Sequence, residues 1–342
     1  MEQNTKFISF DNYRSHNIFD KIISLDNLFL AWREFKRGKE NKKDVQEFAL
    51  NPEDNIFNLH RRLKNNNYLH SNYKSFYVCD PKLRHIHKAS VIDRILHHAM
   101  VKIIEPIFEK SFIFDSYSNR KNKGTHRAIK RLKIFAWKLS RNNTKNVWVL
   151  KCDIKKFFEN VNHDILIGLI KKKISNNQVI ELISKIIYSF KGENKKGIPL
   201  GNLTSQIFSN VYLNELDQFI KRKLRIKYYL RYTDDFVILS DDDKNFHGLI
   251  LKINEFLESK LDLQIHPQKV MIKKWKQGID FLGYVDFPYY NILRTKTKNR
   301  ILKRIKNSNY QSIQSYFGVL KHCRSSRIKT KIEFIIGNYN FK

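Results

Sequence analysis

The sequence predicts an α+β fold with a mostly antiparallel sheet, and two segments, with the order of elements around them, carry that prediction. VWVLKCDI, at 147–154, is a short run rich in β-branched and aromatic residues, the pattern of a buried strand. KYYLRYTDDFVILS, at 227–240, reads as two short strands around a tight turn at Thr233, Asp234 and Asp235. Helical patterns separate these segments unevenly, in the order strand, helix, helix, hairpin, helix, strands.

In chain order, residues 1–75 read as helical and basic, with apolar spacing at Ile22, Leu25, Leu28, Leu30 and Trp32. KASVIDRILHHAMVKIIEPIFEK, at 88–110, predicts a long helix interrupted at Pro106. After the 147–154 strand a helix begins near Asn162, with Ile165, Leu166, Leu169 and Ile170 on one face. Asn202 is a candidate cap for the next helix, whose apolar face uses Ile207, Val211, Tyr212 and Leu216. Beyond the hairpin come a helix over 246–260 and a pair of strands in LQIHPQKVMI and IDFLGYV. The remainder is basic and helical, as in KTKNRILKRIKN. No internal repeat or long low-complexity linker interrupts the chain.

The 342 residues include 65 Lys and Arg against 33 Asp and Glu, a formal net charge of +32. An imbalance of that size attracts a polyanion, and nucleic acid is the commonest one. A merely soluble basic protein is the alternative. Aromatic residues make up 13%, enough to supply stacking surfaces besides a core. Cys79, Cys152 and Cys323 lie far apart, with neither zinc-ligand spacing nor a disulfide framework, which fits a reducing compartment. MEQNTKFISFDNYRSH is too polar for a signal peptide, and no apolar run reaches the roughly 18 residues of a membrane span. The expectation is a soluble, cytoplasmic protein.

Two carboxylate groups stand out. Asp153 ends a predicted strand, and Asp234 and Asp235 occupy the hairpin turn. Taken singly, such aspartates serve as ordinary turn residues. Both groups, however, adjoin hydrophobic strands, where unpaired carboxylates are costly. A shared divalent metal resolves that cost, and hard oxygen ligands suit magnesium. Two such ions held by carboxylates drive in-line nucleotidyl transfer.

KCDIKKFFENVNHDIL resembles the first palm motif of reverse transcriptases, especially those of bacterial retroelements. GIPLGNLTSQIFSNVYLNELD is similar to their second palm motif, and RYTDDFVIL to the third. FLGY at 281–284 resembles the primer grip. SVIDRILHHAMVKIIEPIFEKSFIFDSYSNRKNKGTHRAI resembles the fingers motifs shared with group II intron enzymes. The resemblance covers residues 84–290 with the motifs in order. It implies a right-hand polymerase fold: an N-terminal extension and fingers over 1–145, a palm over 146–290 with helices on one face of an antiparallel sheet, and a small helical thumb over 291–342.

By the same resemblance Asp153 and Asp234 are ligands of two Mg2+ ions, Asp235 is the supporting carboxylate, and the Ile154 carbonyl completes one metal. Phe158, five residues after Asp153, falls where these enzymes keep an aromatic gate against the ribose 2′-OH; the alternative is a core position, as for Phe157. Arg120 and Lys123 are candidates to grip the triphosphate, or else part of a solvated basic loop. Lys269 resembles a fourth-motif lysine that protonates leaving pyrophosphate. Gly201 and Gln206 are carried over as nucleotide-binding positions of the second motif. Phe281, Leu282, Gly283 and Tyr284 form the primer grip.

The second motif departs from the usual Gln-Gly followed by Ser-Pro: here Leu200 precedes Gly201, and Gln206 follows Ser205. That form, with KGTH at 123–126, resembles the enzymes of diversity-generating retroelements. The resemblance implies error-prone copying of a dedicated structured noncoding RNA into cDNA, from a DNA or RNA primer with dNTPs, and misincorporation opposite adenine. It also implies a small basic accessory protein as partner. The competing biological role is an antiphage-defence reverse transcriptase copying a noncoding RNA. An RNA-dependent RNA polymerase conflicts with Phe158, and a dead RNA-binding scaffold conflicts with three intact aspartates. The segment after FLGY has room for a thumb rather than for an RNase H or endonuclease domain.

Overall fold

The computed structural model describes residues 18–337, apart from 80, 81, 191, 193, 194, 306 and 307. The start of the expected N-terminal helical region, through residue 17, lies outside the described residues. Two compact units are formed by interleaved segments. One takes in the chain up to Ile113 with Lys156–Leu216 and Phe256–Leu263; the other takes in Phe114–Lys155, Asp217–Glu255 and the chain from Gln264.

In the first unit, α1 (Ile18–Ile23), α2 (Leu25–Lys36), α3 (Lys43–Ala49) and α4 (Pro52–Lys64) supply the predicted N-terminal helices. Ser24 caps α2 by accepting from the Asn27 amide. Pro52 opens α4, with Glu53 and Asp54 in its first turn and Arg61, Arg62 and Lys64 in its last, in accord with the helix dipole. A hairpin of β1 (Lys74–Cys79) and β2 (Leu83–Lys88) follows. α5 (Val91–Glu109), capped by Ser90, then packs against α1 and α2. The expected interruption at Pro106 does not occur. α5 runs through the proline, because one ladder bond is lost while Ile104 and Phe108 stay buried on either side.

The second unit begins its regular structure with α6 (Thr125–Leu139) and β3 (Trp148–Asp153), which matches the predicted strand. The chain then returns to the first unit for a short α7 (Phe157–Asn160), α8 (His163–Lys171) and α9 (Asn177–Tyr188). Asn162 caps α8, accepting from the amides of Asp164 and Ile165. α10 (Leu203–Gln218) buries Ile207, Val211, Tyr212 and Leu216 as expected. Asn202 is not its cap. The Asn202 Oδ1 is buried without a partner, and its amide donates to the His87 carbonyl instead.

β4 (Tyr229–Tyr232) and β5 (Asp235–Ser240) form the predicted hairpin, and α11 (Phe246–Leu261) follows. β6 (Met271–Lys274) completes an antiparallel sheet of order β4-β5-β3-β6. The expected pairing of LQIHPQKVMI with IDFLGYV is not formed. β6 pairs with β3, while IDFLGYV folds on itself as β7 (Ile279–Phe281) and β8 (Tyr284–Asp286), joined by β9 (Asn291–Leu293) in a separate sheet. Leu282 and Gly283 both take positive φ in the turn, so FLGY is a hairpin tip rather than a strand interior.

α12 (Thr295–Arg304), α13 (Tyr310–Leu320) and α14 (Ser326–Gly337) are the C-terminal helices; α12 and α14 are basic as expected, while α13 carries no Lys or Arg. One core in the second unit joins Val149, Leu230, Val237 and Leu239 of the sheet to Leu132 and Phe135 of α6. Phe281 and the C-terminal Ile301, Ile313, Leu320 and Ile332 belong to the same core. Among the described residues no helix is long and apolar enough to cross a membrane.

Candidate active site

Alternation along β3 places Lys151 and Asp153 on one face, while Leu150 and Cys152 are fully buried on the other. The antiparallel register sets Asp153 opposite Asp235, the first residue of β5. Asp234 lies beside it in the two-residue turn, and the Asp234 carbonyl accepts from the Ile154 amide at 3.2 Å. The four-stranded sheet thus brings together the three carboxylates that the sequence singled out, from segments far apart in the chain.

Electrostatics follow from that convergence. Burial pushes the Asp234 carboxyl up to about 6, and the charges of Asp153 and Asp235 add to the effect. Burial also raises Asp235, against the pull of the Lys151 ammonium. Two lysines answer the negative charge. Lys269 Nζ is 2.5 Å from Asp153 Oδ1, and Lys151 Nζ is 3.6 Å from Asp235 Oδ1. Among the described residues no three His, Cys, Asp or Glu side chains converge as a ready-formed metal cluster. The donors are nonetheless hard carboxylate oxygens crowded in a partly desolvated place, a set whose repulsion a divalent cation relieves.

Lys151 was not singled out from the sequence, although its position two residues before Asp153 puts it on the same strand face. It reaches the β7–β8 hairpin as well: its Nζ donates to the Asp280 carbonyl at 3.2 Å and lies 5.8 Å from the Phe281 ring. Phe281 and Tyr284 are buried, and the Tyr284 hydroxyl donates to the Val319 carbonyl of α13 at 3.0 Å. Leu282 and Gly283 form the tip.

The two basic candidates are both engaged internally. Arg120 Nη1 donates to the Ser116 carbonyl at 2.8 Å. Lys123 Nζ donates to the Phe114 carbonyl at 2.7 Å and sits 3.4 Å from the Phe114 ring centroid.

The remaining candidates belong to the first unit. Phe158 is half-buried, packs edge-on against the buried Phe157 at 5.2 Å, and offers its carbonyl to the Ile198 amide at 2.7 Å. The structure therefore separates the two neighbouring phenylalanines, one wholly core and one partly open. Leu200 is half-buried and its carbonyl accepts from the His87 amide of β2. Gly201 has φ +108°, and a Cβ there would stand 3.1 Å from Ile86, so both backbone and space call for glycine. Gln206 is exposed.

Residues 74–286 match the family described as reverse transcriptase (RNA-dependent DNA polymerase). The chain is 27% identical over 242 residues to Protein YkfC of Escherichia coli, spanning 59% of this chain and 63% of that protein. It is 23% identical over 368 residues to the group II intron-encoded protein LtrA of Lactococcus lactis, spanning 86% of this chain and 60% of the relative. It thus covers under two thirds of either relative's length. Telomerase from Candida albicans, solved in complex with a TWJ fragment of telomeric RNA, superposes with a TM-score of 0.51 at 13% identity, covering 82% of this chain and 58% of that one. That likeness concerns the fold alone, which is of the right-hand polymerase class. The chain belongs to the reverse transcriptase family.

Proposed function

We propose that the chain is an RNA-directed DNA polymerase in which Asp153, Asp234 and Asp235 serve nucleotidyl transfer. The observation that carries this reading is the cross-strand placement of Asp153 opposite Asp235 with Asp234 in the adjoining turn. Asp153, Asp234 and the Ile154 carbonyl would hold two Mg2+ ions, with Asp235 in support; when bound, the metal supplies charge that stabilises the attacking and leaving oxygens. Lys269, whose ammonium pairs with Asp153, would hand a proton to departing pyrophosphate. Phe158 excludes the ribose 2′-OH, Arg120 and Lys123 contact the triphosphate, and the hairpin tip at 281–284 steadies the primer. Fingers over 1–145, palm over 146–290 and thumb over 291–342 are the matching division of labour. Extension of a primed RNA template with labelled dNTPs tests the reading: no Mg2+-dependent product from the purified chain would sink it.

The finer reading is a cytoplasmic enzyme of a diversity-generating retroelement, acting with a small basic accessory protein on a dedicated RNA. Leu200 supports it, since a branched apolar side chain before Gly201 packs without hydrogen bonding, and packing alone discriminates only about 10–200-fold. Leu200→Gln is expected to lower the error rate opposite adenine in sequenced cDNA. An unchanged error spectrum with reduced yield would assign Leu200 to packing and remove this support.

A further inference from the structure

The turn that carries Asp234 is strained at Thr233, a β-branched residue at φ +53°. Side chains of that kind avoid this conformation, and it persists only where the surroundings over-determine it. Here the surroundings are a polar cluster behind the carboxylates. Arg231 and Asp217 form an ion pair with neither side chain exposed, Nε and Nη2 meeting the two carboxylate oxygens at 2.8 and 2.7 Å. The Tyr229 hydroxyl donates to the same carboxylate at 2.6 Å.

The rest of the guanidinium faces the turn and the segment beside β4. Nη1 donates to the Thr233 carbonyl at 3.0 Å, and Nη2 to Ser116 Oγ at 3.2 Å. The Thr233 hydroxyl donates to Ser118 Oγ at 2.6 Å. Backbone bonds from Arg231 to Asp115 and from Tyr117 to Arg231, both 2.9 Å, zip the same segment to β4. Four residues on, Arg120 is fixed to the Ser116 carbonyl.

A buried ion pair adds little stability compared with apolar residues of the same volume. Its use here lies in direction, because an apolar side chain would fill the space without aiming donors at Thr233 and Ser116. We propose that Arg231, anchored by Asp217, is a positioning residue that clamps the strained turn and couples it to the 115–120 segment, holding the Asp234 carboxylate and the Arg120 guanidinium in one frame. The proposal rests on the reading of Asp234 as catalytic.

The test is the triple variant Asp217→Leu, Tyr229→Phe, Arg231→Met, which removes both charges and leaves none buried alone. Thermal unfolding, hydrogen exchange of the 232–236 amides, Mg2+ titration calorimetry, and kcat and KM for dNTP are measured. The expected result is a retained thermal transition, faster exchange at the turn, weaker Mg2+ binding and, because Arg120 is released with the turn, a raised KM for dNTP. A drop in kcat of roughly tenfold to a hundredfold, the scale of an ångström-sized misplacement, accompanies these changes. A folded variant with wild-type exchange and wild-type kcat overturns the proposal. If the triple variant has no thermal transition, Arg231→Lys decides, since it keeps a cation opposite Asp217 but loses the forked donors to Thr233 and Ser116: wild-type exchange and kcat in it overturn the proposal. Asp234→Asn, measured alongside, keeps the two questions apart. Synthesis by that variant would remove the catalytic reading, while exchange at the turn still reports the clamp.

Discussion

Asp153 and Asp235 are register partners across the antiparallel β3–β5 ladder. Like charges directly opposite one another destabilise a sheet, and the adjacent Asp234 adds a third. The fold accommodates them with the ammoniums of Lys269 and Lys151 rather than by separating them. A stability-only solution would replace one aspartate; this chain keeps all three.

The double change Asp234→Asn with Asp235→Asn is expected to abolish DNA synthesis while leaving RNA affinity nearly intact. The chemistry needs the carboxylate charges, whereas binding draws on a chain whose net charge is +32. Primer extension and filter binding on the same preparations check it, and residual synthesis at wild-type rate would refute the assignment.

Phe158 is only half-buried, unlike Phe157, so its truncation is not expected to unfold the protein. Phe158→Ala or Phe158→Val should admit ribonucleotides, seen as a fall in the ratio of dNTP to rNTP incorporation. An unchanged ratio means the ring serves packing alone.

RNA binding should weaken steeply with salt. Each phosphate neutralised on a single strand contributes a log–log slope of about −0.7, and the fingers and the basic 295–306 stretch are expected to supply several contacts. α12 presents Lys296, Lys298, Arg300, Lys303 and Arg304 within a single helix. An affinity flat between low and moderate salt would point to an apolar interface instead.

Asp286 is 1% exposed, its Oδ1 has no hydrogen-bond partner, and burial pushes its carboxyl up to about 6 although the Trp275 indole donates to Oδ2 at 2.8 Å. A raised carboxyl pKa means the folded state holds its proton more tightly than the unfolded chain. The contribution is therefore favourable below the unfolded pKa and is lost as pH rises through 6. Asp286→Asn should stabilise the protein at pH above 7 by on the order of 1–3 kcal/mol, with the gain shrinking toward acid. Thermal melts across pH measure this, and a gain independent of pH would show that Asp286 does not titrate in this way.

The carboxylates were legible because strand alternation and a two-residue turn are local patterns, and so was the buried face of α10; in α8, Leu166, Leu169 and Ile170 are buried as read, but Ile165 is half-buried and Ile167 is buried. The β1–β2 hairpin was not read as strands. Its residues are exposed to half-buried throughout, so no alternation of apolar and polar side chains marks it. The separate β7–β8–β9 sheet was missed for a related reason: three-residue strands carry too little periodicity to show which partner they choose.

By itself the sequence determined the chemistry on offer: three aspartates at strand ends and a turn, a polyanion-seeking charge, and an α+β order of elements. Those follow from residue type and spacing, which local sterics and hydrophobic periodicity translate directly. Only the tertiary structure decided which charges meet. It set Asp153 opposite Asp235, placed Lys269 and Lys151 against them, and buried Arg231 on Asp217 behind the turn. Such pairings depend on strand register and on contacts between segments distant in sequence. Electrostatic partners are fixed by proximity after folding, and no local pattern encodes that proximity.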